Sequence, residues 1–291
     1  ERIIQVALEA DAEAIHPGYG FLSENADFAE MVENSGLVFV GPRSDTIRKV
    51  GNKDAARQAM ALAGLPMVPG TDPLTGFDDA LQKAEKIGYP VILKPVAGGG
   101  GSGMFVCHSR DDLVKKGENI SFGGEFYLER YIDNARHIEV QIMADNYGHI
   151  VHLGERECSL QRRNQKILEE CPSGGLTSEL RQKVGALAIQ AAKSVSYTNI
   201  GTVEFLWDQD TREFYFMEIN PRVQVEHGIT ELVTGMNIVR KQIRLAADEP
   251  LNLKQEHVKL NGYAIECRIN AEDPTMNFMP SPGTITFYHQ P

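Results

Sequence analysis

Hydrophobic and polar positions follow two different periods along the chain. Apolar residues spaced three to four apart predict helices over 23–35, 44–63, 77–87, 178–197 and 236–247. Short apolar or alternating runs predict strands over 37–42, 89–95, 104–109, 125–132, 136–145, 148–155, 201–208, 212–220 and 263–270. The clearest helix is 178–197, whose apolar residues form a single stripe.

The order of these elements predicts an α/β (α+β) fold. Near the N-terminus strands and helices alternate, which favours a parallel sheet. A segment rich in proline and glycine, 65–76, marks the first candidate boundary. Residues near 68–131 then form a small α+β unit, and an antiparallel sheet that includes the hairpin 201–220 follows.

Composition narrows the class of protein. The chain has 291 residues, 42% of them hydrophobic, and 29 Lys and Arg against 40 Asp and Glu, for a net charge of −11. An acidic surface repels nucleic acid and anionic membranes, so neither is an expected partner. Any anionic substrate therefore needs a local basic site or a metal ion. The four scattered cysteines favour a reduced, cytoplasmic protein.

A glycine-rich loop follows the strand that carries Lys94. Residues Gly98–Gly103 match GxGxxG, but the next segment has the pattern of a strand, whereas a dinucleotide-binding loop opens a helix. The loop can instead close over phosphates through its bare N–H groups. A plain hairpin with a solvent-directed lysine is an equally good interpretation.

Carboxylates in the hairpin 201–220 suggest a metal site. A period of two places Glu218 and Asn220 on one face of one strand, and Thr202 and Glu204 on one face of the other. Oxygen ligands alone suit Mg²⁺ or Mn²⁺ better than zinc. The alternative is a pair of edge glutamates that face water.

Ionic residues continue beyond the hairpin. In extended backbone Arg222, Gln224 and Glu226 share a face with Asn220, and together they could hold a small oxyanion and remove its proton. A surface strand with ion pairs is the alternative. The basic cluster of Arg162, Arg163 and Lys166, beside Gln161, would by itself more often be a solvated face.

Taken together, the motifs closely resemble those of biotin carboxylases, which are ATP-grasp enzymes. The resemblance covers essentially the whole chain. It rests on the segments HPGYGFLSEN (16–25), GNK (51–53), KPVAGGGGSGM (94–104), ERYI (129–132), ERECSLQRRNQK (155–166), MEINPRVQVEH (217–227) and ECRINAEDP (266–274).

The resemblance implies ATP-dependent carboxylation of the ureido nitrogen of biotin by bicarbonate, through carboxyphosphate. It also implies ATP, two Mg²⁺ or Mn²⁺ ions, and biotin as a substrate on a carrier protein or domain. A carboxyltransferase partner and a homodimer belong to the same expectation. The final acyl acceptor, and whether the chain is a free subunit or part of a larger polypeptide, are not encoded here.

Residue roles follow from the matching family positions. The resemblance places the metal at Glu204, Glu218 and Asn220, and the bicarbonate clamp at Arg222, Gln224 and Val225. It makes Glu226 the base, with Lys166 and Arg268 near bicarbonate and the biotin enolate. The expected nucleotide contacts are Lys53, Lys94, Gly98, Gly99, Gly100, Gly101, Gly103, Met104, Glu129, Arg130, Ile132, His137, Gln161 and Asn164.

The resemblance also predicts how the chain divides. Residues 1–43 would be the remnant of an N-terminal parallel α/β domain, 44–255 the ATP-grasp domain with its lid near 68–131, and 256–291 the start of a C-terminal domain. Asn164 stands where the family usually has His, which puts the nucleotide affinity in question. Two other functions stay open, namely another ATP-grasp ligase and a non-catalytic nucleotide-binding fragment.

Overall fold

The structure, a computed structural model, describes residues 1–96, 103–117, 120, 126–163 and 165–289, with the side chains of residues 53 and 54 excluded. The helices are α1 (Arg2–Glu9), α2 (Ala26–Asn34), α3 (Ser44–Gly51), α4 (Lys53–Leu62), α5 (Phe77–Ile87), α6 (Arg110–Gly117), α7 (Ser178–Ser194), α8 (His227–Thr234) and α9 (Ile238–Ala246). The strands are β1 (Ala14–Ile15), β2 (Val38–Phe39), β3 (Val91–Pro95), β4 (Phe105–Cys107), β5 (Phe126–Arg130), β6 (Ala135–Ala144), β7 (Ile150–Arg162), β8 (Gln165–Cys171), β9 (Asn199–Asp208), β10 (Glu213–Asn220), β11 (Ala264–Cys267), β12 (Glu272–Asp273) and β13 (Met279–Pro280).

The N-terminal part contains a parallel strand pair, as the alternation of elements predicts. Strands β1 and β2 pair in parallel, and Phe28 and Val32 of α2 pack beside them in one apolar cluster. Asn25 caps α2, because its side chain accepts a hydrogen bond of 2.7 Å from the backbone N–H of Phe28. The predicted strand 37–42 is shorter in the structure, since only Val38–Phe39 is paired.

The single helix predicted over 44–63 is wrong, because the structure has two helices there. Asn52 leaves the helical conformation at φ −84° and ψ 102°. Its side chain then accepts a hydrogen bond of 3.0 Å from the N–H of Ala55 and so caps α4. An asparagine side chain that bonds to nearby backbone favours such a cap over a continuous helix.

Strands β4, β3 and β5 form a small antiparallel sheet in that order. Its apolar core contains Leu93 and Leu128 from the strands together with Leu81 of α5 and Leu113 of α6. Lys94 of β3 lies directly across from Tyr127 of β5. Lys94 therefore lies on the central strand of this sheet.

A six-stranded antiparallel sheet, ordered β10-β9-β6-β7-β8-β11, forms the largest layer. One of its faces packs on α7, where Val184 and Ala188 contact a core that includes Val140 and Phe205. Thr177 caps α7 by accepting a hydrogen bond from the N–H of Leu180. The helix thus buries the alternate apolar residues of the central strands.

Part of the opposite face of this sheet carries polar and charged side chains, and another part packs against α9 in a second apolar cluster. Along β6 the residues His137, Glu139 and Gln141 alternate with Ile138 and Val140, which belong to the core on the α7 side. A period of two therefore separates an apolar face from an ionic face on the same strand. Among the helices of the described residues, none combines the length and the hydrophobicity that a membrane span requires.

Candidate active site

A cleft of about 910 Å³ opens over the ionic face of the large sheet. Side chains reach it from the small sheet, the large sheet, the segment after β10 and the segment after β11. Thirteen residues predicted from the sequence line this cleft: Lys94, Met104, His137, Gln161, Lys166, Glu204, Glu218, Asn220, Arg222, Gln224, Val225, Glu226 and Arg268. The fold thus gathers residues that are up to 174 positions apart in the sequence.

A β-bulge in β10 decides which of its residues reach the cleft. Phe216 pairs with Phe205, and Glu218 pairs with Glu204, so Met217 is an extra residue between the two pairs. In an unbroken strand Phe216 and Glu218 would share a face. The bulge instead turns Phe216 into the apolar core and Glu218 toward the cleft.

Lys166 lies at the centre of the cleft floor and contacts three carboxylates. Its Nζ donates to Glu226 Oε1 at 2.7 Å, to Glu204 Oε1 at 3.1 Å, and to Glu139 Oε2. Burial works against the charge of Lys166, but Glu139 and Glu204 outweigh it and raise its pKa. These carboxylates therefore favour the charged form of Lys166.

Glu139 remains ionised although it is fully buried. Burial raises its pKa, but the cations Arg156 and Lys166 outweigh this effect and lower the pKa to about 2. Its two oxygens are divided between these partners, because Arg156 donates to Oε1 and Lys166 donates to Oε2.

Glu204 is the second buried carboxylate of the floor. It contacts His137 Nε2 at 2.8 Å, and it accepts hydrogen bonds from Asn220 Nδ2 at 2.9 Å and Gln224 Nε2 at 3.0 Å. Burial opposes its ionisation, but His137 and Lys166 hold its pKa well below the usual range. His137 responds in the opposite direction: burial lowers its pKa, and Glu204 raises it by more.

Glu226, the predicted base, is held between two cations. Arg268 Nη2 donates to its Oε2 at 2.8 Å, while Lys166 binds its other oxygen. Arg268 also donates to Glu169 Oε1 at 2.6 Å. Both oxygens of Glu226 are thus hydrogen-bonded, and the carboxylate is held in place.

The extended strand predicted for 222–226 is wrong, although its residues do reach the cleft. The strand ends at Asn220, and a turn at 225–226 leads into α8. The loop nevertheless directs Arg222, Gln224 and Glu226 into one cleft. Arg222 Nε donates to Glu24 Oε1 at 2.7 Å, so the N-terminal HPGYGFLSEN segment touches the site.

Four predicted nucleotide contacts within the described residues lie outside the cleft lining, namely Gly103, Glu129, Arg130 and Ile132. Glu129 is buried between Lys94 and Arg57, whose Nη1 lies 2.9 Å from Glu129 Oε1. Arg130 is exposed and Ile132 is buried. Lys94 therefore reaches the cleft with Glu129 as its partner.

Several predicted residues lie outside the described part of the chain. These are Gly98, Gly99, Gly100, Gly101 and Asn164, together with the side chain of Lys53, which opens α4. The end of the loop is described: Gly103 has φ +75°, a conformation that favours glycine, and Met104 lines the cleft.

Sequence reasoning missed Glu139 and Arg156. Arg156 is a fully buried cation on β7, and Glu139 lies directly across from it on β6. The alternation of His137, Glu139 and Gln141 with apolar residues could have revealed the ionic face of β6. Nothing in the spacing of Arg156 distinguishes it from the basic residues that follow it in the sequence.

The residues present fit a hard divalent cation. Glu204 and Glu218 are paired across β9 and β10, and Asn220 lies next to Glu204. Ionised carboxylates and amide oxygens are the ligands that Mg²⁺ and Mn²⁺ prefer. His137, Glu139 and Glu204 form a second possible ligand group, with candidate atoms within 4.8 Å of one another.

Comparison with known proteins agrees with this geometry. Residues 52–254 match the family model "Carbamoyl-phosphate synthase L chain, ATP binding domain", and residues 1–47 match "Biotin carboxylase, N-terminal domain". Biotin carboxylase 1 of Bacillus subtilis is 51% identical over 99% of this chain and 66% of its own length. Biotin carboxylase 2 of the same organism is 51% identical, over 100% of this chain and 67% of its own length.

Solved structures give the same result. The biotin carboxylase domain dimer of Hydrogenobacter thermophilus 2-oxoglutarate carboxylase, in complex with MgADP, ADP and bicarbonate, has a TM-score of 0.88 and 49% identity, over 100% of this chain and 66% of that one. The predicted ATP-grasp fold is thereby confirmed. The chain spans 66% of the length of the first curated relatives, slightly less than two thirds.

Proposed function

Since the chain belongs to the biotin carboxylase family, we propose that it is an ATP-dependent ligase that carboxylates biotin. ATP would phosphorylate bicarbonate to carboxyphosphate, which breaks down to CO₂ and phosphate. The ureido nitrogen of biotin, once deprotonated by that phosphate or by a nearby base, would attack the CO₂. The observation that carries this proposal is the cluster around Lys166, where one cation joins three buried carboxylates beside Arg268.

The bicarbonate end of the cleft would use the segment after β10. Arg222, Gln224 and Val225 would clamp the anion, and Glu226 would remove its proton. Both oxygens of Glu226 already have cationic partners, which supports a fixed position for this group. Lys166 and Arg268 would stabilise the negative charge that develops on the carboxylate and on the biotin enolate.

The nucleotide end would lie toward the small sheet. Lys53 and Lys94 would hold the phosphates, the loop Gly98–Gly103 with Met104 would close over them, and His137, Gln161 and Asn164 would face the ribose. The segment Glu129–Ile132, which includes Arg130, would lie on the adenine side. The position of Lys94 in the cleft wall supports the phosphate role.

Glu204, Glu218 and Asn220 would hold the Mg²⁺ or Mn²⁺ ions, of which the family resemblance implies two. When bound, the ions would supply positive charge where the phosphates react. The low pKa of Glu204 supports this role, because a ligand carboxylate must be ionised.

The division of the chain and its partners form part of the same proposal. Residues 1–43 and 256–291 would flank an ATP-grasp unit of residues 44–255, with its lid at 68–131. Biotin would arrive on a carrier protein or domain, and a carboxyltransferase would use the product in the cytoplasm. A homodimer is supported by the dimer of the H. thermophilus relative.

Release of ADP tests the proposal directly. The chain would be incubated with Mg-ATP, with and without bicarbonate, and with and without free biotin. We expect release that requires bicarbonate and rises with biotin. Release that does not respond to bicarbonate would favour another ATP-grasp ligase, and ATP binding without any ADP would favour a non-catalytic fragment.

A further inference from the structure

Arg156 is a fully buried guanidinium below the floor of the cleft. A guanidinium has five N–H donors, and here each has an acceptor. Nε donates to Glu139 Oε1. Nη1 donates to Gln141 Oε1 at 2.9 Å and to Thr230 Oγ1 at 3.0 Å, and Nη2 donates to Gln224 Oε1 at 2.9 Å and to Thr202 Oγ1 at 3.2 Å.

These partners belong to separate elements that meet only under the cleft. Glu139 and Gln141 lie on β6, Thr202 lies on β9, Gln224 lies in the loop after β10, and Thr230 lies on α8. The guanidinium therefore joins the strands of the floor to the loop that carries the expected bicarbonate clamp. Gln224 and Lys166 line the cleft, whereas Arg156 is not among the lining residues.

The contact with Gln224 determines which way its amide points. Since Arg156 can only donate, the atom of Gln224 that faces it must be the oxygen. The amide nitrogen is then left to donate to Glu204 Oε1, at 3.0 Å. Arg156, which can only donate, and Glu204, which accepts when ionised, therefore fix the amide from opposite ends, and without Arg156 only the bond to Glu204 would oppose its rotation.

A second chain of contacts runs through Glu139. Arg156 binds one oxygen of Glu139, and the other oxygen accepts from Lys166. Lys166 in turn binds Glu226 at 2.7 Å. Arg156 thus supports both the clamp residue Gln224 and the cation that holds the expected base.

We propose that Arg156 is a positioning residue for the bicarbonate end of the site. It sets the orientation of Gln224 directly and the position of Lys166 through Glu139. The predicted change in KM rests on the proposed function. The positioning of Gln224 and Lys166 rests only on the contacts described above. The group acts through other residues and does not touch the substrate.

Arg156→Lys separates the geometry from the charge. Lysine keeps the positive charge but offers three donors from a single nitrogen, so it cannot reach all five acceptors of the planar fork. We expect the KM for bicarbonate to rise about 10- to 100-fold, by analogy with the loss of groups that orient the ligands of metal sites. The KM for ATP should stay near the wild-type value.

Arg181→Lys is the matched control. Arg181 also binds a buried glutamate, with Nε donating to Glu155 Oε1 at 2.7 Å and Nη2 donating to the Ser173 carbonyl at 3.2 Å. Glu155 and Arg156 are adjacent on β7, so they point to opposite faces of the sheet. Arg181→Lys should therefore lower the thermal midpoint without changing the KM for bicarbonate.

A readout that does not need turnover keeps the two proposals apart. In protein labelled with ¹⁵N-glutamine, the side-chain amide signals of Gln224 would be identified by their loss in Gln224→Leu. In Arg156→Lys the chemical shifts of these amide signals should move toward those of solvent-exposed glutamine amides. In Arg181→Lys the chemical shifts should stay unchanged. This signal tests the positioning role even if wild type releases no ADP, which would refute only the proposed function.

Two results would overturn the inference. One is an unchanged Gln224 amide signal in folded Arg156→Lys protein. The other, in an active wild type, is an Arg156→Lys variant whose KM values for bicarbonate and ATP change by the same factor. If Arg156→Lys does not fold, the amide signals of Gln224 in Thr230→Val, which removes one neutral acceptor of Nη1, provide the same test with a smaller expected shift.

Discussion

Replacing Lys166 by methionine should destabilise the fold by an amount that the carboxylate contacts determine. The lysine is 14% exposed and contacts Glu139, Glu204 and Glu226. Removing one partner from a buried ion pair typically costs about 3–5 kcal/mol. Each carboxylate keeps another partner here, namely Arg156, His137 and Arg268, so we expect the lower end, about 3 kcal/mol.

The lowered pKa of Glu139 reflects the same contacts. Its decrease from the ordinary 4.5 to about 2 corresponds to about 3 kcal/mol of stabilisation of the ionised form. Arg156 and Lys166 share that effect. Because the folded-state pKa is depressed, this stabilisation is fully present above pH 4.5 and is lost as the pH falls toward 2. The difference in the free energy of unfolding between wild type and Lys166→Met should therefore become smaller at acidic pH.

Urea unfolding at pH 7 and at pH 4, followed by circular dichroism, measures both effects. Lys183→Met is the control, because Lys183 pairs with Glu213 at 2.8 Å where both side chains are about 40% exposed. Such a surface pair contributes only about 0–1 kcal/mol. The reasoning would be refuted if Lys166→Met and Lys183→Met lost the same free energy of unfolding. It would also be refuted if the loss in Lys166→Met grew as the pH fell.

Three further predictions concern function. Lys94→Ala should weaken ATP binding in titration calorimetry, and an unchanged affinity would remove Lys94 from the phosphate site. Glu226→Gln should slow ADP release while ATP affinity is retained, since the group acts on bicarbonate; a large loss of ATP affinity would indicate a nucleotide or metal role instead. Glu218→Ala should abolish ADP release with an unchanged circular dichroism spectrum, and normal release would contradict the metal assignment.

The sequence predicted most elements because their signals are local. The helix 77–87 and the hairpin of β9 and β10 agree closely with Phe77–Ile87, Asn199–Asp208 and Glu213–Asn220. The break at Asn52 was missed, because apolar spacing continues across it while a single side chain caps the next helix. One side-chain hydrogen bond is enough to end a helical turn here, but it leaves the spacing of apolar residues unchanged, so the periodicity does not reveal the break.

For the segment 222–226, the sequence predicted the shared location of its side chains correctly but the backbone conformation wrongly. Strand alternation predicted that Arg222, Gln224 and Glu226 would share a face, and they do share a cleft. They reach it from a loop and a turn, however, because the strand ends at Asn220. A spacing of two residues is compatible with both conformations, so the sequence could not distinguish them.

What the sequence determined by itself was the family, the order of elements and most of the residues that line the cleft, because motif spacing and residue type are local properties. The tertiary structure decided the remainder. The bulge at Met217 directs Glu218 away from the apolar face, and the meeting of β6, β9 and α8 around Arg156 satisfies all five of its donors. A buried charge is stable only where distant elements supply its partners, and such a requirement is met in three dimensions rather than along the chain.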